Sequence, residues 1–364
     1  MFKKLKKLDF VNTCFSSNQN IVIISERLKT IWLNNKVIFN GDGYLFAIIQ
    51  ANDFLVFGNP EKIFVGKIGE NDFQLTDGIG ISWNTYSKKG VAILKNKTLD
   101  SVLFAYKSDG YYRSFKNGKE LLLFEQETGI LLFTYDEDSK ILFRNMNILK
   151  SFSLKTGNCE WELDFGKKIN GFSRIEGNEI SRIIGLSGEE LLLSLSDFSL
   201  VSVNTNTGKI IWNFNREQME EILNQSTFLT VQGFENGSIE NHQLYILHGG
   251  CYIIFDLATQ TAKTLWEASG IYEELSIVQT VFTYEYIYFT GAFGFPFNPN
   301  LLGVFNRQIL NIDWLHEGTE LPQVGGYRGS YRQIQVLGEK MYALDDSEVS
   351  SGTLHIFEKT EENE

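Results

Sequence analysis

Residues 203–214 read VNTNTGKIIWNF: a polar turn closing on Thr207-Gly208, a short apolar run, and Trp212 four residues past the glycine. Asn and Thr in such a turn hydrogen-bond their own backbone, and glycine accepts a left-handed conformation without steric cost. In KIIWNF, Ile210, Trp212 and Phe214 fall on one face by the alternation of a strand. The turn fixes the register, and the register aims the ring at the neighbouring unit. A ring placed for that purpose should recur.

It does. SFSLKTGNCEW (151–161) repeats Thr-Gly and Trp at the same spacing. VFNRQILNIDW (304–314) keeps Asn and Trp without Thr-Gly. IFDLATQTAKTLW (254–266) keeps an aspartate and Trp with about two extra residues between them. YRSFKNGKELL (112–122) fits the frame with Asn117-Gly118 at the turn and Leu122 in place of Trp. Trp161, Trp212, Trp266 and Trp314 are separated by 51, 54 and 48 residues. A period near 50 filled with short strands and turn signals indicates propeller blades.

The chain therefore reads as all-β, a single β-propeller over residues 1–364 with seven blades ending near 67, 125, 165, 215, 268, 316 and 360. The last blade offers KMYALDD (340–346) and GTLHIFEK (352–359) but no outer strand. An open strand edge invites aggregation, so KKLKKLDFV (3–11) is expected to pair there and close the fold. Its lysines would lie near Glu358, Glu361, Glu362 and Glu364. Phe2, Leu5 and Leu8 are also spaced as in a short helix, which is the rival reading of that segment.

The repeat resembles the tryptophan-docking motif, Ala-x-Asp-x-x-Thr-Gly-x-x-x-Trp, of the pyrroloquinoline-quinone-type β-propellers. Ser202, Asn204, Thr207, Gly208 and Trp212 occupy its positions, as do Ser151, Ser153, Thr156, Gly157 and Trp161 one repeat earlier. The resemblance covers roughly residues 100–320 and implies the fold. The quinone-dependent enzymes of that family use a vicinal disulfide and a calcium site. Cys14, Cys159 and Cys251 are far apart, so the quinone activity does not carry over and no cofactor is expected. Nor does an odd number of scattered cysteines suit a disulfide framework or a zinc site.

A net charge of −12 argues against nucleic acid or an anionic membrane as partner and suits a basic protein. In MFKKLKKLDFVNTC the lysines precede only LDFV, far short of the apolar core of an export signal. No later stretch is long and apolar enough for a membrane helix. A cytoplasmic monomer is the expectation.

Catalytic signatures are missing: the sequence has no HExxH, GxSxG, phosphate loop or EF-hand spacing. His242, His248, His316 and His355 are scattered, which suits structural or exposed roles. The carboxylates of DEDS (136–139) and LDDSE (344–348) are expected at solvated turns. Long loops stand out instead. GAFGFPFNPN (291–300) carries Phe293, Phe295 and Phe297, and LHEGTELPQVGGYRGSYRQ (315–333) carries Tyr327, Arg328, Tyr331 and Arg332. Such insertions on a rigid scaffold are where binding resides, and these residue types anchor interfaces. NREQMEEILNQS (215–226) reads as a short amphipathic helix on Met219, Ile222 and Leu223. The functional expectation is a non-catalytic protein-binding platform, one form being an immunity protein that neutralises a basic toxin. The alternative is a lyase or hydrolase with its site at a central pore.

Overall fold

Strands dominate the chain because apolar runs of four to eight residues alternate with turn residues along its length. In the computed structural model, strand backbone is described from Phe2 to Lys359. Side chains are described mainly for residues 2–40, 147–166, 179–218, 237–294, 298–319, 329–346 and 351–360. Among the described residues the strands form eight four-stranded antiparallel sheets and one two-stranded ribbon. Seven sheets follow chain order, over residues 13–40, 46–79, 91–125, 130–164, 180–214, 238–267 and 275–317. The eighth joins residues 331–359 to residues 2–11.

The expected count was seven units. The difference lies at the start, where one unit ending near 67 is replaced by a sheet ending at Asn40 and another ending at Ile79. In the first of these, Trp32 is on the third strand, Thr30–Leu33, so no tryptophan marks the outer strand, Lys36–Asn40. The docking signature that paces the later units is missing there.

The chain divides into two compact units, one of Met1–Asp42 with Glu217–Glu364 and one of Gly43–Arg216. Within the first, the leading strands of consecutive sheets lie side by side: Leu275–Phe282 beside Tyr331–Leu337, and Tyr331–Leu337 beside Thr13–Ser17. Within the second, Val91–Lys95 runs beside Phe46–Ala51 and Ile130–Tyr135. The core occupies the seams between sheets. Tyr288, Leu302 and Val304 of the seventh sheet pack on Ile334, Met341 and Phe357 of the eighth. Tyr342, Leu344 and Ile356 of the eighth pack on Cys14, Ile21 and Ile23 of the first. A strand buried on both faces reads as an unbroken apolar run, which is why NIVIIS (20–25) and ELLLSL (190–195) lack alternation.

Residues 2–11 are a strand and not a helix. Phe2–Val11 runs antiparallel to Gly352–Lys359, with Phe2 opposite Lys359, Lys3 opposite Glu358 and Leu8 opposite Leu354. Lys3, Lys6 and Lys7 are exposed along it, and lysines on an edge strand discourage pairing with another chain. Glu358 also meets Lys340 at 3.5 Å, while Glu361, Glu362 and Glu364 lie outside the described residues. In the 215–226 insertion, Glu217, Gln218 and Glu221 are helical and exposed, and Met219, Ile222 and Leu223 lie outside the described residues.

Candidate functional site

The Asn204–Gly208 turn is built as its residues dictate. Asn204 Oδ1 accepts from the backbone N–H groups of Asn206 and Thr207 at 3.1 and 2.9 Å, and Gly208 takes φ +67°. The same turn recurs without Thr-Gly. Asp256 accepts from Ala258 and Thr259 N–H at 3.0 and 2.8 Å, and Asn306 from Gln308 and Ile309 at 3.0 and 3.3 Å. The residues equivalent to Gly208 are Gln260 and Leu310, at φ 57° and 54°. The repeat is thus carried by an Asx side chain and a left-handed residue four positions later. The hydrogen bonds from Thr259 also hold the Asp256 carboxyl below the usual carboxylate range.

Each of the four tryptophans follows a register shift in its strand, at Glu160, Ile211, Leu265 and Asp313. A bulge kinks a strand and re-aims the next side chain. Ile211 accordingly stays 45% exposed while Trp212 is buried. The same shift occurs before Phe39 and Leu122, which hold the tryptophan's place in the first and third sheets. Strict alternation from Ile210 misses this, because a one-residue bulge is not written in the apolar pattern.

Trp161 lies across the turn of the following sheet. Its indole Nε1–H donates to Thr205 O at 2.8 Å, and a Cβ on Gly208 would come within 2.6 Å of its ring. Trp212 is buried with Phe214 at 5.3 Å. Trp266 meets Phe305 of the following sheet edge-on at 5.1 Å. Trp314 contacts Phe2 at 5.4 Å and Phe357 at 6.1 Å, both in the eighth sheet, and stacks on His316 at 5.6 Å.

Of the seven loop residues expected to carry binding, the structure describes the side chains of three, Phe293, Tyr331 and Arg332. Phe293 ends the second strand of the seventh sheet and is 48% exposed. Phe295 and Phe297 lie outside the described residues. Tyr327–Arg328 forms a small ribbon with Gln323–Val324, and the side chains of Tyr327 and Arg328 lie outside the described residues. Tyr331 is a core residue, fully buried among Leu302, Leu321 and Met341, with its ring edge-on to His355 at 5.9 Å. Arg332 donates to Asn12 O at 3.1 Å and Val11 O at 3.4 Å. Beside it, Gln333 grips the Cys14 backbone, donating to its carbonyl at 2.6 Å and accepting from its N–H at 3.3 Å. These two side chains clamp the chain where the outer strand of the eighth sheet becomes the first strand of the first sheet. Tyr331 and Arg332 are thus engaged within the fold, one by packing and the other by backbone carbonyls.

One carboxylate departs from the solvated role expected for it. Asp345 is buried, with Oδ2 2.8 Å from His355 Nε2 and Oδ1 accepting from Thr353 N–H at 2.7 Å. Asp346, next in sequence, is exposed and accepts from Ser330 Oγ at 2.5 Å. Among the described residues no group of three or more His, Cys, Asp or Glu is placed to hold a metal ion, and no helix is long and apolar enough to cross a membrane.

No protein-family model matches this chain, and no curated protein matches it in sequence. Solved structures do resemble it. BamB from Moraxella catarrhalis is 10% identical with a TM-score of 0.56, over 99% of this chain and all of that one. Sqt1 from Saccharomyces cerevisiae is 13% identical with a TM-score of 0.56, over 98% of both chains. The computationally designed Ika8 protein is 14% identical with a TM-score of 0.58, also over 98% of both. BamB is a propeller of the quinone-type repeat and Sqt1 of the WD40 repeat. Equal similarity to both classes establishes the β-propeller fold for this chain and leaves chemistry to its own residues.

Proposed function

We propose that this β-propeller is a non-catalytic protein-binding scaffold whose contact surface lies at the loop-bearing end of the seventh sheet. The observation that supports it is a pair of exposed apolar side chains on joined backbone. Ile271 is 81% exposed and Phe293 48% exposed. Leu275 pairs with Phe293, and Gly294 N–H donates to Glu274 O at 2.8 Å, which brings the 270–272 turn and Phe293–Gly294 to the same end. Ile271 is carried by a turn and Phe293 by a strand end, and exposed apolar groups gathered at the loop end of a rigid scaffold are candidates for contact.

The eight sheets act as the blades of one propeller, and the quinone-type repeat supplies its docking turns without the quinone. The net charge of −12 favours a basic partner, as a toxin bound by a cytoplasmic immunity protein would be. Such a scaffold works as a monomer and needs no cofactor.

The test compares wild type with Ile271→Ser/Phe293→Ser and with Tyr284→Ser/Ile309→Ser, a control pair also exposed, at 87% and 64%. Tagged proteins are used to capture partners from the native source. A partner held by wild type and by the control pair should fall at least tenfold with the first pair, at an unchanged melting temperature. Equal retention by the first pair, or loss with the control pair alone, contradicts the reading.

A further inference from the structure

At the outer seam between the seventh and eighth sheets, a cavity of about 70 Å³ is lined by Phe2, Tyr286, Tyr288, Asp313, Trp314 and Lys359. Its rings stand at steep angles to one another. Phe2 meets Tyr288 at 6.0 Å and 89°, and Trp314 at 5.4 Å and 50°, while Tyr286 and Tyr288 are 6.4 Å apart at 62°. A volume of this size holds a few water-sized groups, far short of a drug-sized ligand.

The lining has a definite electrostatic preference. Ring faces carry negative quadrupole and attract a cation, more so where water is excluded. Asp313 is exposed, and its Oδ2 accepts from Asn306 Nδ2 at 2.9 Å, which holds the carboxylate in place. An anion would meet that carboxylate, whereas a cation gains from it and from the Tyr286 ring face. Lys359 is the one lining group of opposite sign, and it behaves as a ligand does: its Nζ sits over the Tyr286 ring at 4.9 Å. Lys359 is exposed and near the end of its strand, on a long flexible stem, so it can leave.

We propose that this cavity is an aromatic cage for a compact organic cation of the quaternary ammonium type, with Lys359 as the resident cation that the ligand displaces. The cage has no residue in common with the loop-bearing contact surface and stands or falls apart from it.

The probe is tetramethylammonium chloride, titrated calorimetrically into the full chain against sodium chloride at equal ionic strength. Wild type should bind weakly and saturably. Lys359→Met should tighten binding at least fivefold by removing the competitor, and adding Trp314→Leu should weaken it at least tenfold. Because Trp314→Leu also removes packing, Asp313→Asn serves as the second variant: its side chain is exposed, and it should weaken binding at least threefold in the Lys359→Met background. No saturable binding by Lys359→Met overturns the proposal. So does affinity left unchanged by both Trp314→Leu and Asp313→Asn, or saturation by benzoate in place of the cation. A Lys359→Met affinity equal to that of wild type removes the displacement step.

Discussion

Trp161 and Trp314 hold the same register position, just past a bulge on the outer strand, and they end in different surroundings. Trp161 finds a hairpin turn in the next sheet. Its N–H is satisfied by Thr205 O, and its ring rests where Gly208 leaves no Cβ. Trp314 faces a sheet whose third and fourth strands come from opposite ends of the described chain, residues 352–359 and 2–11. No hairpin turn joins those strands, so none covers the ring. Phe2 and Phe357 approach it instead, and a cavity remains. One local device therefore makes a closed seam where the sheet is a continuous meander, and an open one where strands 2–11 and 352–359, far apart in sequence, complete the sheet.

Removing the strand of residues 2–11 should have the largest effect. Deleting residues 2–11 withdraws Phe2, Leu8 and Val11 from the eighth sheet and its seams. Val11 is buried while Phe2 and Leu8 are half-buried, a burial worth roughly 4 kcal/mol together, so chemical denaturation should show a loss of that order or aggregation. The seam around Trp161 should not respond. Thiols report this directly. Cys14 is buried, and burial pushes its pKa up to about 12 despite the nearby Arg332 charge, whereas Cys159 is exposed. Labelling at pH 8 should spare Cys14 in the full chain and modify it after the deletion, with Cys159 labelled at the same rate in both. A full-length melting temperature and a protected Cys14 in the truncated protein would contradict the terminal clasp.

A third seam responds to pH. Between the sixth and seventh sheets, Gly249 and Ile277 exchange two backbone hydrogen bonds of 3.0 and 2.8 Å. His248 beside them is buried, and its Nδ1 has no hydrogen-bond partner among the described residues. Burial lowers its pKa from 6.5 to about 4. Between those values the unfolded chain binds a proton that the folded chain does not, so stability falls as pH drops through that window and is constant above it. The loss should approach ~3 kcal/mol by pH 4, and His248→Gln should remove that part of the slope. An identical pH profile in the variant would show that His248 is not the group responsible.

The smallest effect tests what the repeat is made of. Leu310 occupies the left-handed position that Gly208 holds in the fifth sheet, and left-handed backbone costs a residue with a Cβ about 1–2 kcal/mol. Leu310 also packs against the core around Phe305, which offsets part of any gain. Leu310→Gly should therefore change stability by less than ~1 kcal/mol, where a leucine lost from a core usually costs 2–5 kcal/mol. A loss above 2 kcal/mol would mean that the side chain, and not the backbone turn, holds that position.

How much of this was legible follows from what is local. The Thr-Gly turn, the tryptophan spacing and the outer strands could be read because their determinants lie within a dozen residues. The separation of the first two sheets could not, because Phe39 takes the tryptophan's place after an Asn34-Asn35 turn that lacks Thr-Gly. Tyr331 and Arg332 looked like loop anchors by residue type. Their fates are set by Leu302 and Met341 in one case and by the carbonyls of Val11 and Asn12 in the other, far away in sequence. The cage was invisible for the same reason, since it needs Phe2 beside Trp314.

The ring of Trp161 closes its seam by resting on Gly208, and a double-mutant cycle measures that contact. Gly208→Ala alone should be destabilising through both the left-handed backbone and the new Cβ against the ring, and Trp161→Ala alone by about 3–5 kcal/mol through lost packing. With the ring gone the new Cβ meets open space, so the double variant should be more stable than the sum of the singles by at least ~1 kcal/mol. Strict additivity, within the ~0.3–0.5 kcal/mol expected of independent sites, would contradict the docking of Trp161 on that turn.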